Sequence, residues 1–129
     1  MNRTRYALLV LRALWEIVRY DLVNVTFGFR RIHRQVAQQA VANRTFPAET
    51  ERRVCDAVCL AACFYWRPVR CLQRSIAATR LLRTYGVNGR LVIGYRAAPF
   101  LSHAWVEVDG RVVNDSPAYK ERLHVLSTF

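Results

Sequence analysis

The feature that most limits what this chain can fold into is a change of period at Gly86. Before it, apolar residues recur every three to four positions; after it, they alternate with polar ones. The first spacing lines one face of a helix and the second one face of a strand. Helices first and antiparallel strands after predict an α+β fold, N-terminal helices followed by a small antiparallel sheet. At 129 residues the chain reads as a single domain with a real core. Its helical part is 1–66; 67–129 supplies one more helix and the strands.

Residues 4–24 read as a first helix on which Arg5, Arg12, Glu16 and Arg19 form one narrow stripe and nearly everything else is apolar. Such a helix is expected to be covered on most of its surface, as a core helix; the alternative is a docking face for a partner or a membrane surface. Residues 24–28 read as a break and 29–42 as a second, more polar helix with Phe29, Ile32, Val36 and Ala40 inward. His33, set among arginines, reads as a solvated surface residue. Pro47 opens a third helix running to about Trp66, with Glu49 and Glu51 in the first turn, where the helix dipole favours acids. It carries Cys55, Cys59 and Cys63 on one face, read as packing residues, since no converging ligands suggest a metal. Pro68 ends this helix, the next begins near Val69 or Arg70, and Gly86 stops it. Leu72, Ile76, Thr79 and Leu82 form its inner face. Strands are expected at 90–96, 102–108 and 111–115, with a last one within 119–126; His124 there reads as structural or exposed.

Net charge is +11, and of 20 basic residues only Lys120 is lysine. The arginines are spread along the chain and no nucleic-acid motif accompanies them, so no nucleic-acid partner is expected. An acidic peptide or protein partner fits the charge better. Charges interrupt the first apolar stretch, which argues against both a secretory signal and a transmembrane segment. Four cysteines without a signal fit a reducing cytoplasm.

Cys71 falls in the first turn of the fourth helix. Unpaired backbone N–H groups and the positive dipole end favour a thiolate there and can bind an oxyanion. His103 lies in a strand pattern and can act as its base. Asp109 and Asp115 compete to orient that base. Asp109 shares the strand parity of His103 but lies about 20 Å along the strand. Asp115, on the returning strand, can come alongside. A two-residue Asp109-Gly110 loop would set Asp115 opposite Ala104, on the wrong face; a three-residue loop of Val108, Asp109 and Gly110 would set it opposite His103. Asp-Gly favours the first, the chemistry the second, and the three-residue loop is the expectation.

The run Cys71-Leu72-x-x-Ser75, then Leu81-Leu82, Gly86, Leu91-Val92-Ile93-Gly94 and Pro99-Phe100-x-x-His103-Ala104-Trp105-Val106-Glu107 resembles the lasso peptide B protein family. These are leader peptidases with a transglutaminase-like, papain-related cysteine protease domain. The resemblance covers residues 71–115 and implies a nucleophile at Cys71, a base at His103 and an orienting acid at Asp115, with no cofactor and no metal. It implies a cysteine endopeptidase that removes the leader from a ribosomal precursor peptide, after which a separate cyclase closes the ring. Fused members carry an extra leader-binding domain with strands; the residues before Cys71 read as helices only. The chain is therefore expected to be the peptidase half of a split B protein. Its expected partners are the precursor peptide and a separate leader-recognition protein, with the lasso cyclase a further candidate. Two readings compete: another thioester acyl transfer, as in a transglutaminase or acyltransferase, and a non-catalytic binding module.

Overall fold

The computed structural model describes residues 2–129. Helix α1 spans Arg3–Phe27, α2 Phe29–Gln38, α3 Thr50–Phe64 and α4 Cys71–Thr84. Strands β1, Arg90–Ala97, and β2, Phe100–Val108, follow, then the short β3, Arg111–Val112, helix α5, Ala118–Arg122, and β4, His124–Thr128. The sheet is antiparallel in the order β3-β2-β1-β4. Helices first and a small antiparallel sheet after is the α+β arrangement that the change of period predicts.

Asn2 caps α1, its Oδ1 accepting the Arg5 N–H at 2.9 Å. The helix runs through the expected break at 24–28. Val25 and Thr26 are tolerated in a helix, and only Gly28, at φ 82°, can adopt the left-handed turn that ends it. Only Leu9, Ala13 and Ile17 of α1 are buried, so it is not a covered core helix. Glu16 and Arg19 of its charged stripe turn inward instead, while Arg5 and Arg12 stay exposed. Glu16 Oε2 meets Arg80 Nε at 2.9 Å, Arg19 Nη2 donates to Gln35 at 2.8 Å, and Arg12 Nη1 donates to the Tyr85 hydroxyl at 3.1 Å. Leu8, Leu11, Trp15, Leu22 and Val25 are left exposed along the helix.

Helix α2 stops at Gln38, short of 42, and leaves Ala40 outside it and exposed. The buried Arg83 meets the end of α2: its guanidinium reaches the Val36 carbonyl, and it also donates to the carbonyls of Gly89 at 2.9 Å and of Phe129 at 2.8 Å. His33 is half-buried, its ring set edge-on against Phe129 at 3.9 Å, which corrects the solvated placement. In α3, Pro47 makes a turn ahead of the helix, its carbonyl accepting the Thr50 N–H at 3.0 Å.

Helix α4 is the centre of the molecule. Ser75, Ile76, Ala77, Ala78, Thr79, Leu81 and Leu82 are all buried, between α1 and α3 on one side and the sheet on the other. Gly86 ends it at φ 91°, where a Cβ would stand 2.6 Å from the Arg44 carbonyl. In the tail, Pro117 and the Ser116 hydroxyl start the short α5, so the expected strand at 119–126 divides into a helix and β4. Strand β4 pairs with β1 from Val92↔Thr128 to Tyr95↔His124.

Candidate active site

Cys71 is the first residue of α4, and Arg70 ahead of it makes no side-chain capping bond. The amides of that first turn therefore have no side-chain partner from their own cap. The thiol is half-buried and packs on the cluster that holds Ile76, Leu91 and Ala104. Tyr20 of α1 borders the same place; burial raises its phenol above the ordinary range, with Asp21 and Cys71 adding to the effect.

His103 stands on β2 opposite Gly94 of β1. Its Nε2 lies 2.7 Å from Asp115 Oδ2, and its ring stacks on Tyr119 of α5 with centroids 3.9 Å apart and planes at 28°. Asp115 Oδ1 accepts the Ser116 N–H at 2.8 Å, which fixes the carboxylate plane. With Nε2 occupied, Nδ1 is the ring nitrogen left free to exchange a proton with a thiol.

Two contacts tie this pair to α4, each one turn beyond Cys71. Ser75 Oγ donates to the Ala104 carbonyl at 3.1 Å, next to His103, and Arg74 Nη2 lies 3.5 Å from Asp115 Oδ2. The start of α4, the middle of β2 and the 114–116 bend thus converge at one end of the helix.

The hairpin reaches this geometry by the register the chemistry seemed to forbid. Val108 pairs with Arg111 and Glu107 with Val112, a two-residue loop with Asp109 at φ 51° and Gly110 at φ 77°. The three-residue expectation fails because Asp-Gly suits two successive left-handed residues. Parity does not then carry Asp115 to the wrong face, because β3 ends at Val112. Val113 N–H still donates to the Val106 carbonyl at 3.0 Å, but the Val106 N–H goes to Asn114 Oδ1 at 2.8 Å. The chain leaves the ladder there, and Asp115 is free to turn toward His103.

Arg74, Asn114 and Tyr119 escaped the sequence reading. Asn114 Nδ2 donates to Ser75 Oγ at 3.0 Å, so one side chain joins the bend, β2 and α4. Its signal was adjacency to Asp115. Ser75 was visible in the Cys71-Leu72-x-x-Ser75 run, though without a role.

The other cysteines differ from Cys71 in setting. Cys55 is buried, and burial pushes its thiol up to about 12. Cys59 and Cys63 are exposed rather than packed, and Cys59 is raised, chiefly by desolvation. His124 is exposed on β4 beside Tyr95. Among the described residues no three His, Cys, Asp or Glu side chains are grouped to hold a metal, and no helix is long and apolar enough to cross a membrane. An open apolar groove of about 790 Å³ runs between α1 and α3, lined by Tyr6, Val10, Leu14, Leu60 and Phe64, and includes none of Cys71, His103 or Asp115.

Part of the chain is similar to the microcin J25-processing protein McjB of Escherichia coli, 46% identical over 57 residues. That stretch is 44% of this chain and 27% of McjB, so the chain matches about a quarter of that relative's length. It agrees with the resemblance to the lasso peptide B proteins. No solved structure matches the chain. The transglutaminase-like superfamily model matches residues 14–128, which take in the helices, the sheet and the convergence at the start of α4, and the chain belongs to that superfamily.

Proposed function

We propose that the chain is a cysteine endopeptidase that cuts the leader from a ribosomally made lasso peptide precursor, with Cys71 as nucleophile, His103 as base and Asp115 as orienting acid. The observation that carries this reading is the 2.7 Å His103–Asp115 pair, tied through Arg74 and Ser75 to the helix that begins with Cys71.

In this mechanism His103 Nδ1 takes the thiol proton, and the thiolate attacks the carbonyl of the scissile peptide bond. Free first-turn amides of α4 can donate to the oxyanion. The C–N bond breaks as Nδ1 returns its proton to the leaving amine, which frees the new amino terminus and leaves a thioester. Water, deprotonated by Nδ1, hydrolyses the thioester and restores the thiol. Throughout, Asp115 holds the Nε2–H tautomer and stabilises the imidazolium.

Delivery of the precursor by a separate leader-recognition protein is part of the proposal. The apolar face that α1 leaves exposed supports it, because a surface stripe of that length usually marks a partner. A second reading, transfer of the acyl group to an amine, uses the same thioester and is favoured by the superfamily alone. Mass spectrometry decides between them. Precursor peptide incubated with the chain, the recognition protein and a low concentration of a simple primary amine should give a free leader carboxylate as the main product. A predominance of amine adduct over hydrolysis at low amine concentration would favour the transferase.

A further inference from the structure

We propose that the recognition partner docks on α1 through one amphipathic helix of its own, with apolar residues at heptad spacing and acidic residues along its edge. The inference rests on the delivery of the precursor by a separate recognition protein.

The outward side of α1 carries apolar residues at alternating intervals of three and four: Leu8, Leu11, Trp15, Val18, Leu22 and Val25. Val18 is half-buried and the other five are exposed. On the inward side Leu9, Ala13 and Ile17 keep to intervals of four and are used up in the core. The outer seam has two apolar positions per heptad and runs for about 25 Å. That is the spacing of a coiled-coil seam, narrower than the stripe a helix turns toward a core. A seven-residue repeat slips by about 20° per heptad around a straight helix. A flat surface such as a bilayer loses contact with such a seam, whereas a second helix winding around the first follows it.

The charge beside the seam sets what that helix carries. Arg5, Arg12 and Arg19 recur at the seven-residue interval along one edge. Arg5 and Arg12 are exposed, and Arg12 is held along the edge by the Tyr85 hydroxyl. The two acids of α1 are engaged elsewhere: Glu16 Oε2 meets Arg80 Nε at 2.9 Å, and Asp21 accepts the Tyr65 hydroxyl. The edge therefore offers positive charge to acids on the partner, and the net charge of +11 adds a longer-range attraction. A second copy of the chain does not fit. An antiparallel pair would set one arginine edge against the other, and a parallel pair would set Arg12 and Arg19 against Ala7 and Leu14.

The test is calorimetric titration of the full chain with a three-heptad peptide that has Leu at both seam positions and Glu along both edges, and with its counterpart carrying Lys in place of Glu. The Glu peptide should bind one to one, at least tenfold tighter than the Lys peptide, and should displace the recognition protein. Arg5→Glu with Arg12→Glu should reverse the preference. Arg5→Gln with Arg12→Gln, which should erase it, serves if the reversed pair does not fold. Two peptides that bind alike, or that both fail to bind, would overturn the inference. So would binding to phosphatidylglycerol vesicles, or a dimer in size-exclusion chromatography, that the Glu peptide does not displace; these would assign the face to a lipid surface or to a second copy. A recognition protein that binds the chain and is not displaced by the Glu peptide would overturn the inference and leave delivery standing. A recognition protein that does not bind the chain at all would overturn delivery and this inference with it.

Discussion

Asn114 Oδ1 accepts the backbone N–H of Val106 at 2.8 Å, in the position where a longer β3 would have placed a carbonyl. The same side chain donates to Ser75 Oγ, which donates in turn to the Ala104 carbonyl. One amide thus ends the ladder, releases Asp115 from strand parity and holds the bend against α4. Asn114→Ala leaves the Val106 N–H without its acceptor in a closed part of the fold. Unmade hydrogen bonds of this kind cost about 1–3 kcal/mol. Urea denaturation should show a loss of that size. Cleavage should fall further than the unfolded fraction explains, because Asp115 loses its anchor. Wild-type stability and turnover in Asn114→Ala would remove Asn114 from the account.

The change of period at Gly86, the helix start at Cys71 and the strands around His103 were legible because each rests on a local signal: apolar spacing, a proline three residues before Cys71, a glycine that must turn left-handed. The hairpin was misread for an instructive reason. Strand parity would hold to residue 115 only in an unbroken ladder, whereas this ladder ends at Val112 and a side chain takes over. Nothing local distinguishes an asparagine that replaces a backbone acceptor from one in an ordinary loop. Arg74 and Arg83 were hidden in the same way. Among 19 arginines, neither spacing nor composition marks the two whose partners lie far along the chain. The α1 helix shows the reverse. Its charged stripe was visible, but not that Glu16 and Arg19 would find partners on α4 and α2, leaving the apolar side outward.

Cys55 makes the fold sensitive to alkali. Burial raises its thiol from an ordinary 9.0 to about 12, so the folded state resists ionisation that the unfolded chain allows. Its stabilising effect is complete below the unfolded pKa and is lost as pH rises from about 9 toward about 12. Thermal melts of wild type should fall across that window, and Cys55→Ala should flatten the slope while lowering stability slightly at neutral pH. Equal slopes for the two proteins would show that another group governs alkaline unfolding.

The exposed face of α1 should be where a recognition protein docks. Leu11 is 60% exposed and Trp15 56%, without neighbours that cover them. Hydrogen exchange in α1, measured with the recognition protein and leader present and absent, should slow on complex formation. Leu11→Glu with Trp15→Glu should weaken the complex at least tenfold, yet leave Cys71 alkylation at its wild-type rate. Unchanged exchange in α1 would place the docking surface elsewhere.

In the proposed mechanism Cys71 is the nucleophile and His103, held by Asp115, its base. The most direct measurement is cleavage of the precursor peptide by the complex, followed by mass spectrometry, for wild type and for Cys71→Ala, His103→Ala and Asp115→Ala. Cys71→Ala should retain the fold and release no leader. His103→Ala should lose on the order of 10⁴-fold or more in kcat, and Asp115→Ala less than either, because an orienting group contributes through the base it holds. Leader release by folded Cys71→Ala at the wild-type rate would contradict the account.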